Sequence, residues 1–170
     1  MTLIKAVRGI EPQFGENCWF AENATIIGEV TMGRDCTVWF NAVVRGDVNS
    51  IMIGDRTNIQ DGAVIHCTYQ RYKTIIGHSV SIAHNAIVHG CTLEDNVLIG
   101  MGAVVMDGAV IGEGSVIAAG AIVTQHTIVP PASIYAGNPA RFLKAVSPEQ
   151  AEVFKRTANN YVMYADWFKV

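Results

Sequence analysis

Residues 99–123 read IGMGAVVMDGAVIGEGSVIAAGAIV, and within them Ile99, Val105, Ile111, Ile117 and Val123 fall at every sixth position. The spacing continues outward to Val129 and Tyr135. Upstream, after a one-residue slip, it recurs at Ile76, Ile82 and Val88, at Ile53, Ile59 and Ile65, and at Met32, Val38 and Val44. A small residue often follows, as at Gly54, Gly77, Gly100, Gly112 and Ala118. Internal periodicity of this kind means a solenoid, in which each unit buries its apolar side only by stacking on its neighbours. Three hexads make one triangular coil, so the sequence predicts an all-β solenoid.

Composition agrees. The 170 residues are 50% hydrophobic, enough for one domain with a continuous core. Charged residues make up only 16%, with a net charge of -3, which argues against a nucleic-acid partner. Lys5, Arg8 and Glu11 interrupt the N-terminus, and no segment is apolar enough to span a bilayer, so no membrane role and a cytoplasmic location are expected. Cys18, Cys36, Cys67 and Cys91 lack CxxC spacing and read as small, reduced, buried thiols.

The boundaries are readable as well. Residues 1–140 are assigned to the coil with an N-terminal cap, in which Trp19 and Phe20 are placed over the open end. Residues 141–170 carry a terminal helix of the same domain. Ser147-Pro148-Glu149-Gln150 reads as an N-cap with proline at the first helical position. Ala151, Phe154, Ala158, Tyr161, Ala165 and Phe168 then form an apolar stripe that should pack along the coil, of this chain or a neighbour.

Placing the histidines on the coils brings out a metal-binding pattern. Arg45, His66 and His89 occupy the same outward slot of the third hexad in consecutive turns. Stacked strands lie about 4.8 Å apart, so the His66 and His89 imidazoles can lean toward one point. Asp61 and His84 share a corner slot one coil apart, with Gln60 just before it. Five residues of extended chain, roughly 15 Å, separate His84 from His89, too far for one ion that holds each nitrogen at about 2.1 Å. The three converge if the His84 corner of one protomer meets the His66 and His89 face of the next, as a cyclic homotrimer would repeat. Three imidazoles favour zinc, with iron or cobalt as alternatives, and leave a position open to water. His78 and His126 lie outside this stack and read as solvated surface residues.

The repeat resembles the hexapeptide-repeat proteins, whose fold is a left-handed parallel β-helix. Arg45-Gly46-Asp47, Thr57-Asn58-Ile59-Gln60-Asp61-Gly62, His66, Ile82-Ala83-His84, Val88-His89-Gly90-Cys91 and Gly100-Met101-Gly102-Ala103 together resemble the gamma-class carbonic anhydrases and their close relatives. The match runs from about residue 10 to residue 145. That resemblance implies a homotrimer in which His66, His89 and a neighbour's His84 bind zinc, or iron in some members. It further implies that Asn58 and Gln60 orient water or bicarbonate, and that Arg45, Asp47 and Asp61 form contacts around the subunit boundary. Asp and Asn beside Gly also suit tight corners, and that simpler role stays open for Asp47 and Asp61.

The chemistry implied is hydration of carbon dioxide to bicarbonate, since a metal ion lowers the pKa of bound water from about 15.7 toward about 7. Turnover also needs a group that carries protons away. Here the chain departs from the best-characterised branch of the family: Val48 and Tyr69 stand where that branch has two glutamates. The five extra residues from Tyr69 to Lys73 supply no acid. Tyr161 aligns with a tyrosine that other relatives place near the metal, and equally fits the helix stripe. Two other activities fit the same residues, a metallohydrolase acting on an ester or thioester and a hexapeptide-repeat acyltransferase.

Overall fold

The computed structural model describes residues 1–169 and consists of a left-handed parallel β-helix of about seven turns with one C-terminal helix. Short strands stack in three parallel columns, and the inward residue of each strand sits above its counterpart in the next coil. One column runs Val38, Ile59, Ile82, Ile99, Ile117, Tyr135. A second runs Val44, Ile65, Val88, Val105, Val123. The third runs Met32, Ile53, Ile76, Leu93, Ile111, Val129. Most of these side chains are fully buried, so the core is one apolar column along the axis.

Leu93 locates the slip in the repeat. It follows Val88 by five residues and pairs with Ile76 and Ile111, so the coil loses its residue at the corner after His89. Elsewhere the repeat gains residues. The long strand Val43–Ile53 absorbs an extra stretch, and a hairpin closed by a bridge between Thr68 and Tyr72 protrudes between Ile65 and Ile76.

Corners turn through left-handed residues. Asn41, Gly62, Asn85, Gly102 and Gly120 occupy one corner in successive coils, all with positive φ. At Gly62 a side chain is also excluded by space, because a Cβ would lie 2.2 Å from the Asn85 Oδ1. This corner fixes the backbone of its neighbours Asp61 and His84.

At the open end, Phe20 does seal the coil, but with Phe14, their ring centroids 4.7 Å apart. Trp19 faces outward instead, because alternation along its strand turns it away from the axis. It packs 4.8 Å from Trp39 and 5.2 Å from Phe168. The helix Pro148–Asp166 starts at the Ser147 N-cap with a capping box to Gln150. It lies across the strands Thr37–Val38, Asn58–Ile59 and Ser81–Ile82, burying Ala158 and Ala165. No helix among the described residues is long and apolar enough to cross a membrane.

Candidate metal centre

His66 and His89 are direct partners across adjacent parallel strands, Val64–His66 and Ile87–His89. The His66 Nδ1 lies 3.0 Å from the His89 Nε2. The other nitrogen of each ring meets a carboxylate, His66 Nε2 at 3.0 Å from the Asp47 Oδ1 and His89 Nδ1 at 2.6 Å from the Asp107 Oδ1. An ionised carboxylate only accepts, so both of those ring nitrogens carry hydrogens. The two facing nitrogens are then left with lone pairs directed at each other, a repulsive arrangement unless a cation stands between them.

Both carboxylates are themselves braced. Arg45 donates to the Asp47 Oδ2, and Arg8 donates to the Asp47 carbonyl at 2.8 Å. Thr68 donates to the Asp107 Oδ2 at 2.7 Å. Burial raises the Asp47 carboxyl, but hydrogen bonds from His66 and Arg45 outweigh it and hold the group below the ordinary carboxylate value. Asp107 is lowered in the same way, with burial opposed by hydrogen bonds from Thr68 and His89. Burial lowers His66, only partly offset by its bond to Asp47, which favours the neutral imidazole that a metal needs.

The neighbouring thiols do not compete for a cation. Cys67 and Cys91 point into the core, and burial pushes them up to about 11 and about 12. They stay protonated at neutral pH, whereas the thiolate is the ligand form.

His84 lies elsewhere, at the corner preceding this face, with its Nδ1 2.9 Å from the Asp61 Oδ2. Gln60 and Asn58 are buried on the adjoining face, under the terminal helix. Gln60 Nε2 donates to the Asn58 Oδ1 at 3.0 Å, and Asn58 Nδ2 donates to the Ser81 Oγ at 2.8 Å. Tyr161 packs edge-on against Trp39 at 5.3 Å. Burial, then the Asp61 charge, raises its phenol above the ordinary value. Among the described residues, no cluster of three or more His, Cys, Asp or Glu side chains gathers at one point within the chain. The structure thus brings together Arg45, Asp47, His66 and His89 on one face, and Asn58, Gln60, Asp61, His84 and Tyr161 around the preceding face and corner.

Asp107 and Thr68 were not legible as part of the site. Met106-Asp107-Gly108 reads as an ordinary corner. Only its distance of one coil from His89, eighteen residues, could have signalled the contact. Val48 packs against the core and Tyr69 is exposed, so neither replaces the missing glutamates.

Comparison with known proteins gives the family. A family model described as bacterial transferase hexapeptide (six repeats) matches residues 90–125. A probable carbonic anhydrase of Methanocaldococcus jannaschii is 52% identical over 151 residues, 89% of this chain and 94% of that one. Among solved structures, a hexapeptide transferase family protein from Anaplasma phagocytophilum is 38% identical with a TM-score of 0.93, covering 98% of both chains. A putative acetyltransferase of Bacillus cereus is 35% identical with a TM-score of 0.95, covering 99% of this chain and 97% of the other. The fold and repeat define a hexapeptide-repeat β-helix protein. Within that class, the chain belongs to the gamma-class carbonic anhydrase-like family.

Proposed function

We propose that this chain is a metal-dependent carbonic anhydrase, interconverting carbon dioxide and bicarbonate, with metal sites shared between the subunits of a homotrimer. The observation that carries the reading is the pair of facing nitrogens on His66 and His89, 3.0 Å apart, each ring held from behind by a carboxylate. Two nitrogens at about 2.1 Å from a tetrahedral zinc would stand about 3.4 Å apart, so the pair needs only a small opening to admit one. Carboxylate support behind a ligating histidine is the usual arrangement at such centres. Two imidazoles fall short of a three-histidine site, and the exposed edge of His84 at another corner is suited to supply the third from a neighbour.

When bound, zinc would supply hydroxide at neutral pH by acidifying a water, and iron or cobalt in the same ligands would do so too. The protein's part is orientation. Gln60, tied to Asn58 and through it to Ser81, holds its amide in a fixed direction beside the His84 corner. In the trimer this amide and the Tyr161 phenol border the shared site and orient water or bicarbonate by hydrogen bonds, while Arg45, Asp47 and Asp61 lie along the subunit boundary. Asp47 and Asp107 stay ionised as acceptors of imidazole N–H groups, so neither serves as a carrier that titrates near neutral pH. Neither carboxylate carries the proton away, which supports a slow rather than a fast hydration.

A second reading, an esterase or thioesterase built on the same site, is favoured by a cavity of about 300 Å³ beside His89, walled by Ile87, Val104, Val105 and Met106. Such walls suit an acyl chain better than bicarbonate. Protein purified without added metal is analysed for bound elements and mass, then assayed for carbon dioxide hydration with zinc and with ferrous iron. The expected result is one ion per chain in a trimer and a rate above buffer. A rate equal to buffer with either metal rejects hydration, and turnover of an acyl-CoA panel then establishes the second reading. Neither metal nor a requirement for His89, with acyl transfer from coenzyme A, would instead identify an acyltransferase.

A further inference from the structure

We infer that Asp107 is the positioning residue for His89, and that the loop interrupting the repeat between Ile65 and Ile76 is built to hold it. The inference rests on the reading of His89 as a metal ligand. Both Asp107 oxygens are engaged, Oδ1 with His89 Nδ1 at 2.6 Å and Oδ2 with Thr68 Oγ1 at 2.7 Å, and the side chain is only 13% exposed. Because this carboxylate accepts only, it fixes the hydrogen of His89 on Nδ1 and turns the Nε2 lone pair toward His66.

Space for the contact is made by Gly90. Its φ is +56°, and a Cβ there would lie 2.2 Å from the Asp107 Oδ1 and 2.9 Å from the Tyr72 Cβ. The loop supplies the rest. Thr68 and Tyr72 close it by backbone hydrogen bonds in both directions. Thr74, just after the loop and fully buried, donates its hydroxyl to the His66 carbonyl and accepts from the Gly90 N–H at 3.0 Å. One threonine on each side of the loop thus braces the site, Thr68 through the carboxylate and Thr74 through the backbones of His66 and Gly90. A plain hexad repeat would place neither there.

The test uses the full chain. Zinc is titrated against a competing chelator, and the ring nitrogens of metal-free protein are read by long-range proton–nitrogen NMR. Asp107→Ala is expected to lower zinc affinity about 10- to 100-fold, the usual effect of losing such a partner. It also moves His89 from the Nδ1–H form toward the Nε2–H form. Asp107→Asn, which keeps an acceptor oxygen without the charge, loses less, and Thr68→Val loses a fewfold with the same tautomer drift. If Asp107→Ala does not fold, Thr68→Val decides. Unchanged affinity, or an unchanged His89 tautomer in the folded variants, overturns the inference. A wild-type chain that binds zinc without hydrating carbon dioxide rejects the activity alone, and the variant affinities still decide the role of Asp107. A wild-type chain that binds no zinc overturns both.

Discussion

The His66 and His89 face and the His84 corner are built from the same repeat, yet they are finished differently. On the face, two imidazoles are each backed by a carboxylate, and each carboxylate is backed in turn by Arg45 or Thr68. At the corner a single imidazole meets Asp61 and keeps 39% of its side chain exposed, while the ordered polar groups beside it, Gln60 and Asn58, are covered by the helix. On the proposed reading the face offers two nitrogen ligands and the corner one. On that reading, these two non-converging donor sets meet only where copies of the chain assemble.

The largest effect should come from separating the two sets. His89→Ala and His84→Ala are each expected to abolish stoichiometric zinc binding, a loss beyond the roughly 10- to 100-fold of an outer-shell change. When the two variants are unfolded together and reassembled, every mixed trimer regains one intact site, pairing the face of one variant with the corner of the other. Metal content that stays at zero in the mixture would break the comparison.

Next in size is the covered pair at the corner. Gln60→Ala removes the donor to the buried Asn58 Oδ1, and should cost about 1–3 kcal/mol in denaturant unfolding. A loss below about 0.5 kcal/mol would show that the pair is not held as tightly as the face.

Acid should act first on the face. His66 is lowered from an ordinary value of about 6.5, so the unfolded chain binds the proton more readily than the folded one. Stability is therefore full above about pH 6.5 and is lost as pH falls through the folded value. Asp47 and Asp107, also lowered, add a second loss of the same sign below about pH 3.9. In metal-free protein, melting temperature against pH should show both steps, and His66→Gln should remove the upper one.

The smallest change is Tyr161→Phe. The ring keeps its contact with Trp39, so stability should stay within about 0.5 kcal/mol. Hydration should slow if the phenol borders the shared site, and equal rates would leave Tyr161 a packing residue only.

Much of this was readable in advance because a solenoid converts sequence distance into spatial distance. The registers of His66 with His89 and of Asp61 with His84 follow from counting hexads, and the capping box at Ser147 from its residue types. Asp107 was hidden because it belongs to the next coil and reaches back, and Thr68 because it sits where the repeat is broken. Trp19 was misplaced over the open end because outward and inward positions of a two-residue strand look alike when both are aromatic.

Sequence by itself determined the coil, its period and the coil position of each histidine, since strand alternation and stacking leave side chains little choice of direction. Only the tertiary structure decided which hydrogen-bond partner each imidazole takes, and thereby which nitrogen it presents. That choice depends on contacts of 2.6–3.0 Å between separate coils, which no repeat specifies.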